Sequence, residues 1–151
     1  MPDRFETLFN RMAAQSGGSP SPAPHLWQSE LAADRECLDR LIRIPTGFGK
    51  TLGVLATWVW HRVVRGDDAW PRRLVWCLPM RVLVEQTEAE ARRALASLEL
   101  LWDGFGPHQG LVGVHTLMGG TVATDWHLYP EHCAVLIGTQ DMLLSRALNR
   151  G

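Results

Sequence analysis

The residues with the clearest chemistry in this chain are Thr46-Gly47-Phe48-Gly49-Lys50-Thr51. Alternating glycines let backbone N–H groups turn inward around an anion, and a helix opening at Lys50 would add its positive dipole end. Lys50 is then placed to reach the β- and γ-phosphates of a nucleotide, and the Thr51 hydroxyl to hold Mg²⁺. Together Thr46, Gly47, Phe48, Gly49, Lys50 and Thr51 form a candidate phosphate loop for ATP–Mg²⁺, with Lys50 and Thr51 as the residues nearest the chemistry. The strict GxxxxGK[ST] pattern asks for glycine at position 44, where this chain has Ile44. Lys50 is also the only lysine among 15 basic residues, the rest being arginine. A compact ammonium kept against that bias is consistent with a point-charge contact to phosphate.

A phosphate loop needs a strand before it and a helix after it. Leu41, Ile42 and Ile44 read as a short apolar strand broken by Pro45. Lys50 to about Arg65 reads as a helix, with Leu52, Leu55, Val59 and Val63 on its apolar face. Upstream, Phe5, Leu8, Phe9 and Met12 recur at helical spacing over residues 3–14. Residues 16–24, rich in Ser, Gly and Pro, read as a linker, and Trp27 to Leu38 as a helix ending near Asp39. Downstream, Leu74–Leu78 is a buried-type strand stopped by Pro79, and 81–100 a long helix. Leu111, Val112 and Val114 begin a strand running towards Gly119-Gly120. Ala134–Ile137 is a further strand and Asp141–Asn149 a helix. This alternation predicts an α/β domain, a parallel sheet with helices on both faces that binds ligands at the carboxyl ends of its strands. The expected division is a helix and linker over 1–24 and the α/β domain over 25–151.

The chain's 151 residues suffice for one domain, and 46% hydrophobic with 21% charged residues is the balance of a folded protein. A net charge of −1 excludes a global basic field, so any nucleic-acid contact must be local. Cys37, Cys77 and Cys133 are odd in number and form no CxxC pair, which points to reduced thiols and not to a disulfide framework or zinc site. No apolar run reaches membrane-spanning length and no signal-peptide stretch opens the chain, so no membrane association is expected and the cytoplasm is the expected location.

Further blocks line up with the loop. Pro24-His25-Leu26-Trp27-Gln28 resembles a Q motif, whose glutamine reads the adenine edge with its amide. Cys77 to Gln86 resembles motif Ia, PTRxLxxQ, with Met80 in place of threonine and Arg81 as a nucleic-acid backbone contact. Gly119-Gly120 resembles the glycine pair of motif Ib, and Ile137-Gly138-Thr139-Gln140-Asp141 resembles motif Ic. There Thr139 would cap the next helix and face a strand phosphate. From about Trp27 to its end the chain resembles the first RecA-like P-loop domain of superfamily 2 (DEAD/DEAH-like) helicases. The texture of 25–28, 45–51 and 138–151 is most similar to the CRISPR-associated helicase–nuclease of type I interference, in the I-G (formerly I-U) form that has no HD nuclease domain ahead of the motor. That resemblance implies an ATP-driven DNA translocase, with single-stranded DNA and the CRISPR surveillance complex as partners. Two alternatives stand beside it: another superfamily 2 motor, such as a restriction translocase or RNA helicase, and a non-catalytic nucleotide- or nucleic-acid-binding module.

A complete motor also needs a Walker B acidic pair, and no Asp-Glu dipeptide occurs in this sequence. The strand at 134–137 leads into Gly138-Thr139, and Asp141 falls in the following helix. The expectation is an N-terminal, truncated part of the domain that binds ATP–Mg²⁺ weakly and does not turn it over alone.

Overall fold

A computed structural model describes residues 1–14, 23–118 and 125–148 of the chain. They form two compact units, one of Met1–Pro71 with Arg93–Glu99, the other of Arg72–Arg92 with Leu100–Gly151. The sequence motifs divide between them, so each unit is described in its own right.

The first unit is helical. Helix α1 (Phe5–Ala13) buries Leu8, Phe9, Met12 and Ala13, the face its periodicity predicted. Arg93 closes its carboxyl end, donating to the Met12 carbonyl at 2.9 Å and the Ala14 carbonyl at 3.2 Å. This is how a helix end whose last carbonyls lack intrahelical donors is satisfied. Helix α2 (Leu26–Ala33) and helix α3 (Lys50–Trp58) pack on one another, and α1 packs on α3. The N-terminal helix thus packs within the same unit as the glycine loop. After Trp58 the helix widens into a π-helix over Val59–Val64. Its wide turn is tied off by side chains. His61 is buried, bonds the Ala32 carbonyl through Nε2 at 2.8 Å and stacks on Trp70 at 4.3 Å, while Trp58 Nε1 donates to the Pro71 carbonyl.

The second unit holds a three-stranded parallel sheet in the order β1-β3-β2. Its strands are β1 (Arg73–Leu78), β2 (Gly113–Leu117) and β3 (Ala134–Thr139). β3 is central, and Ala134 to Gly138 are all buried, as expected of a parallel strand covered on both faces. The register pairs Cys77 with Gly138 and Leu78 with Thr139 on one side, and Leu117 with Gly138 on the other. At Gly138 an added Cβ would lie 2.7 Å from the Leu117 carbonyl oxygen, so the β2–β3 approach requires glycine there. Helix α4 (Arg81–Ser97) follows β1, and helix α5 (Gln140–Ala147) follows β3 and packs on β3 and β1. Among the described residues no helix is long and apolar enough to cross a membrane.

Two expected elements are corrected. The helix read as Trp27–Leu38 ends at Ala33: Asp34 is already extended, and Arg40 pairs back to its carboxylate. Residues 35–41 are exposed and offer no apolar face to hold further turns. Leu41–Ile44, expected as the strand feeding the loop, is not a strand, and Leu41 is 82% exposed. An apolar triplet specifies which side chains seek cover, but a strand exists only with a neighbour to complete its ladder, and among the described residues this segment pairs with none. It runs instead along α2, bordering a cavity of about 290 Å³ that Trp27, Leu31 and Asp34 also line.

Candidate functional site

The glycine loop occupies residues 45–49 and leads directly into α3. Gly47 has φ +89° and Gly49 φ +67°, both in the left-handed region that side chains oppose. Gly49 is the N-cap of α3, and its carbonyl accepts the Gly53 N–H at 2.9 Å, starting the helix. Like those of any helix, the first-turn N–H groups of α3 lack intrahelical acceptors, the donor set an anion requires, and the left-handed Gly49 fixes the angle at which the loop enters them. Lys50 is exposed on that first turn, and its Nζ donates to the Ile44 carbonyl at 2.7 Å, bridging the loop. Thr46 and Phe48 are exposed, and Thr51 is half-buried in the first turn of α3. The ring of Phe48 lies 5.4 Å from that of His25. One unit thus brings together all six loop residues and Gln28.

Gln28 is fully buried, at 0% exposure. Its Oε1 accepts the His25 N–H at 2.8 Å, and its Nε2 donates to the Gly49 carbonyl at 3.0 Å. The first bond is the N3 half of a capping box at the start of α2. The second ties α2 to the N-cap of α3. Packing around it is tight: a Cβ at Gly49 would lie 2.9 Å from Gln28 Nε2, and one at Gly53 would lie 2.9 Å from Gln28 Cγ and 2.5 Å from Trp27 Cη2.

The residues expected to contact nucleic acid lie in the second unit. Arg81 is the exposed first residue of α4, and Thr139 is the last residue of β3 and the N-cap of α5. Since Leu78 and Thr139 are register partners, Thr139 lies at the carboxyl end of the sheet and Arg81 just beyond it. The Thr139 hydroxyl lies beside the Asp141 carboxyl. That hydroxyl, ahead of the Asp141 and Met142 backbone N–H groups, holds the Asp141 carboxyl below its ordinary range. A carboxylate beside Thr139 works against a phosphate at the same hydroxyl. Gly119 and Gly120 lie outside the described residues.

Sequence reasoning missed a stack of rings in this unit. His108 faces His132 at 3.8 Å, Tyr129 lies 5.1 Å beyond His132, and Trp102 lies 4.8 Å from His108. Burial, then the charges of His132 and His115, lower the His108 pKa. Nothing in the local sequence signals this, because the stack joins two loops. Among the described residues no cluster of His, Cys, Asp and Glu could hold a metal ion.

The parallel sheet with its helices is that of an α/β domain. The glycine loop opens a helix at the sole lysine, as a phosphate loop would, but no strand runs into it. The DEAD/DEAH box helicase family matches residues 28–151, and the chain belongs to that family. No curated protein and no solved structure matches it significantly.

Proposed function

We propose that this chain supplies the ATP–Mg²⁺-binding part of a superfamily 2 helicase motor. The observation that carries the reading is the left-handed Gly49 N-cap, which opens α3 with Lys50 in its first turn. The donor set fits the ligand: loop and first-turn N–H groups and the Lys50 ammonium suit phosphate oxygens, and the Thr51 hydroxyl suits Mg²⁺. The nucleotide supplies the phosphoanhydride and the metal neutralises its charge, while the chain's own residues bind and orient. A neutral carbonyl now accepts from Lys50, and a polyanionic phosphate is the stronger acceptor. Without an Asp-Glu pair the chain binds nucleotide but does not hydrolyse it, so phosphate release stays at the level of a Lys50→Ala variant.

Isothermal titration with ATP–Mg²⁺ tests the binding. Losing a charge-assisted contact worth about 1.5–3 kcal/mol weakens the Lys50→Ala variant by roughly ten- to a hundredfold. Equal affinity for both proteins defeats the assignment.

The finer reading is a DNA translocase of CRISPR interference working in the cytoplasm. It is supported by the sequence texture of 25–28, 45–51 and 138–151, and by the positions of Arg81 just after β1 and of Thr139 at the end of β3. Single-stranded DNA is its nucleic-acid partner, held weakly and salt-sensitively given the net charge of −1. A CRISPR surveillance complex is its protein partner. Crosslinking to single-stranded DNA with peptide mapping should mark Arg81, Gly119, Gly120 or Thr139, and crosslinks confined to residues 1–24 count against it.

A further inference from the structure

We propose that Gln28 is a positioning residue for the phosphate loop and not a reader of the base, so the loop binds a triphosphate whatever base it carries. The inference rests on the phosphate-loop reading above and concerns how that loop is held.

Reading an adenine edge takes one acceptor and one donor from the same amide. Each end of the amide is anchored here to backbone, Oε1 by the His25 N–H and Nε2 by the Gly49 carbonyl, and the second lone pair and second N–H that remain have no open face on which to meet a base. The side chain is fully buried, and it is closed in where α2 meets the start of α3, within 3.0 Å of where Cβ atoms at Gly49 and Gly53 would sit. To face a base it would have to leave two hydrogen bonds and a packed site. The carbonyl it holds belongs to Gly49, the left-handed residue that sets the direction of the first N–H groups of α3. Gln28 therefore acts on phosphate through Gly49. The exposed groups beside the loop are the rings of His25 and Phe48. A ring face stacks on any base and does not separate adenine from guanine.

The test titrates the whole chain with ATP, GTP and inorganic tripolyphosphate, each with Mg²⁺, using Lys50→Ala as the control. Wild type should bind ATP and GTP within about threefold, a difference well under the 1.4 kcal/mol of a tenfold change. Gln28→Met, close in volume but without the two hydrogen bonds, should weaken all three ligands by the same factor, about tenfold. Gln28→Glu keeps an acceptor for His25 but sets a second acceptor against the Gly49 carbonyl, and should do the same. Hydrogen exchange at the Gly53 N–H, which bonds the Gly49 carbonyl, should quicken in both variants. A general packing role predicts a lower melting temperature with tripolyphosphate affinity unchanged, and that result overturns the proposal. So does a wild-type preference for ATP over GTP beyond tenfold, which requires no variant to fold, or a loss in Gln28→Met confined to ATP. Tripolyphosphate binding that does not depend on Lys50 overturns the phosphate-loop reading itself, which separates the two failures.

Discussion

Replacing Gly49 with alanine should cost more than replacing Gly47, although both residues have positive φ. At Gly47 an added Cβ meets nothing within 4 Å, so only backbone strain opposes it. A side chain in the left-handed region costs about 1–2 kcal/mol. At Gly49 the same strain applies, and the Cβ would lie 2.9 Å from Gln28 Nε2. That nitrogen is the pinned end of a buried side chain, held by the Gly49 carbonyl and by the Oε1 bond to His25. Relieving the contact means moving α2 or breaking a bond, a typical overpacking cost of about 1–3 kcal/mol. The expected totals are about 1–2 kcal/mol for Gly47→Ala and about 2–5 kcal/mol for Gly49→Ala. Hydrogen exchange over 26–33 and 50–58 at increasing urea reads this helical unit separately from the sheet. In a Gln28→Ala background the excess at Gly49 should vanish, and the two glycine variants should then cost the same. If Gly49→Ala is no worse than Gly47→Ala, or its excess survives without Gln28, the tie between α2 and the loop is wrong.

Two further perturbations test the rest of the molecule. Gly138→Ala should destabilise the sheet by roughly 1–3 kcal/mol, because the obstructing atom is the Leu117 backbone oxygen and not a mobile side chain; urea unfolding followed by circular dichroism measures it. Acidification should destabilise both units. The pKa values of His61, His108 and His115 are all lowered, in each case first by burial, so these rings are neutral when folded and take up protons more readily when unfolded. Their contribution is whole above the ordinary imidazole value of about 6.5 and declines as the pH falls below it. Thermal melts between pH 7.5 and 5 should show this fall, and His108→Phe should make it shallower.

The loop, its helix start and the run of strands and helices after residue 73 were legible because their signals are local. Glycine spacing, Lys50 at a helix N-terminus and the apolar run of β3 each show within a few residues. The strand expected at 41–44 failed for the complementary reason, since whether an apolar triplet pairs is decided by a partner distant in sequence. Gln28 lies between these cases. Its residue type and its place three after His25 signal a helix start, but the Gly49 carbonyl that holds its other end is 21 residues away. The stack of His108, His132, Tyr129 and Trp102 joins separate loops and leaves no periodic trace in sequence. The early end of α2 was half visible, because Asp34 and Arg35 interrupt the apolar face, though Leu38 suggested another turn.

Hydrogen exchange of the loop amides, with and without ATP–Mg²⁺, tests the central claim most directly. If the left-handed Gly49 cap presents its N–H groups to phosphate, the amides of Gly47 to Thr51 should slow on nucleotide addition in wild type and not in Lys50→Ala. Protection elsewhere in the chain with these amides unchanged, or equal protection in the variant, would contradict it.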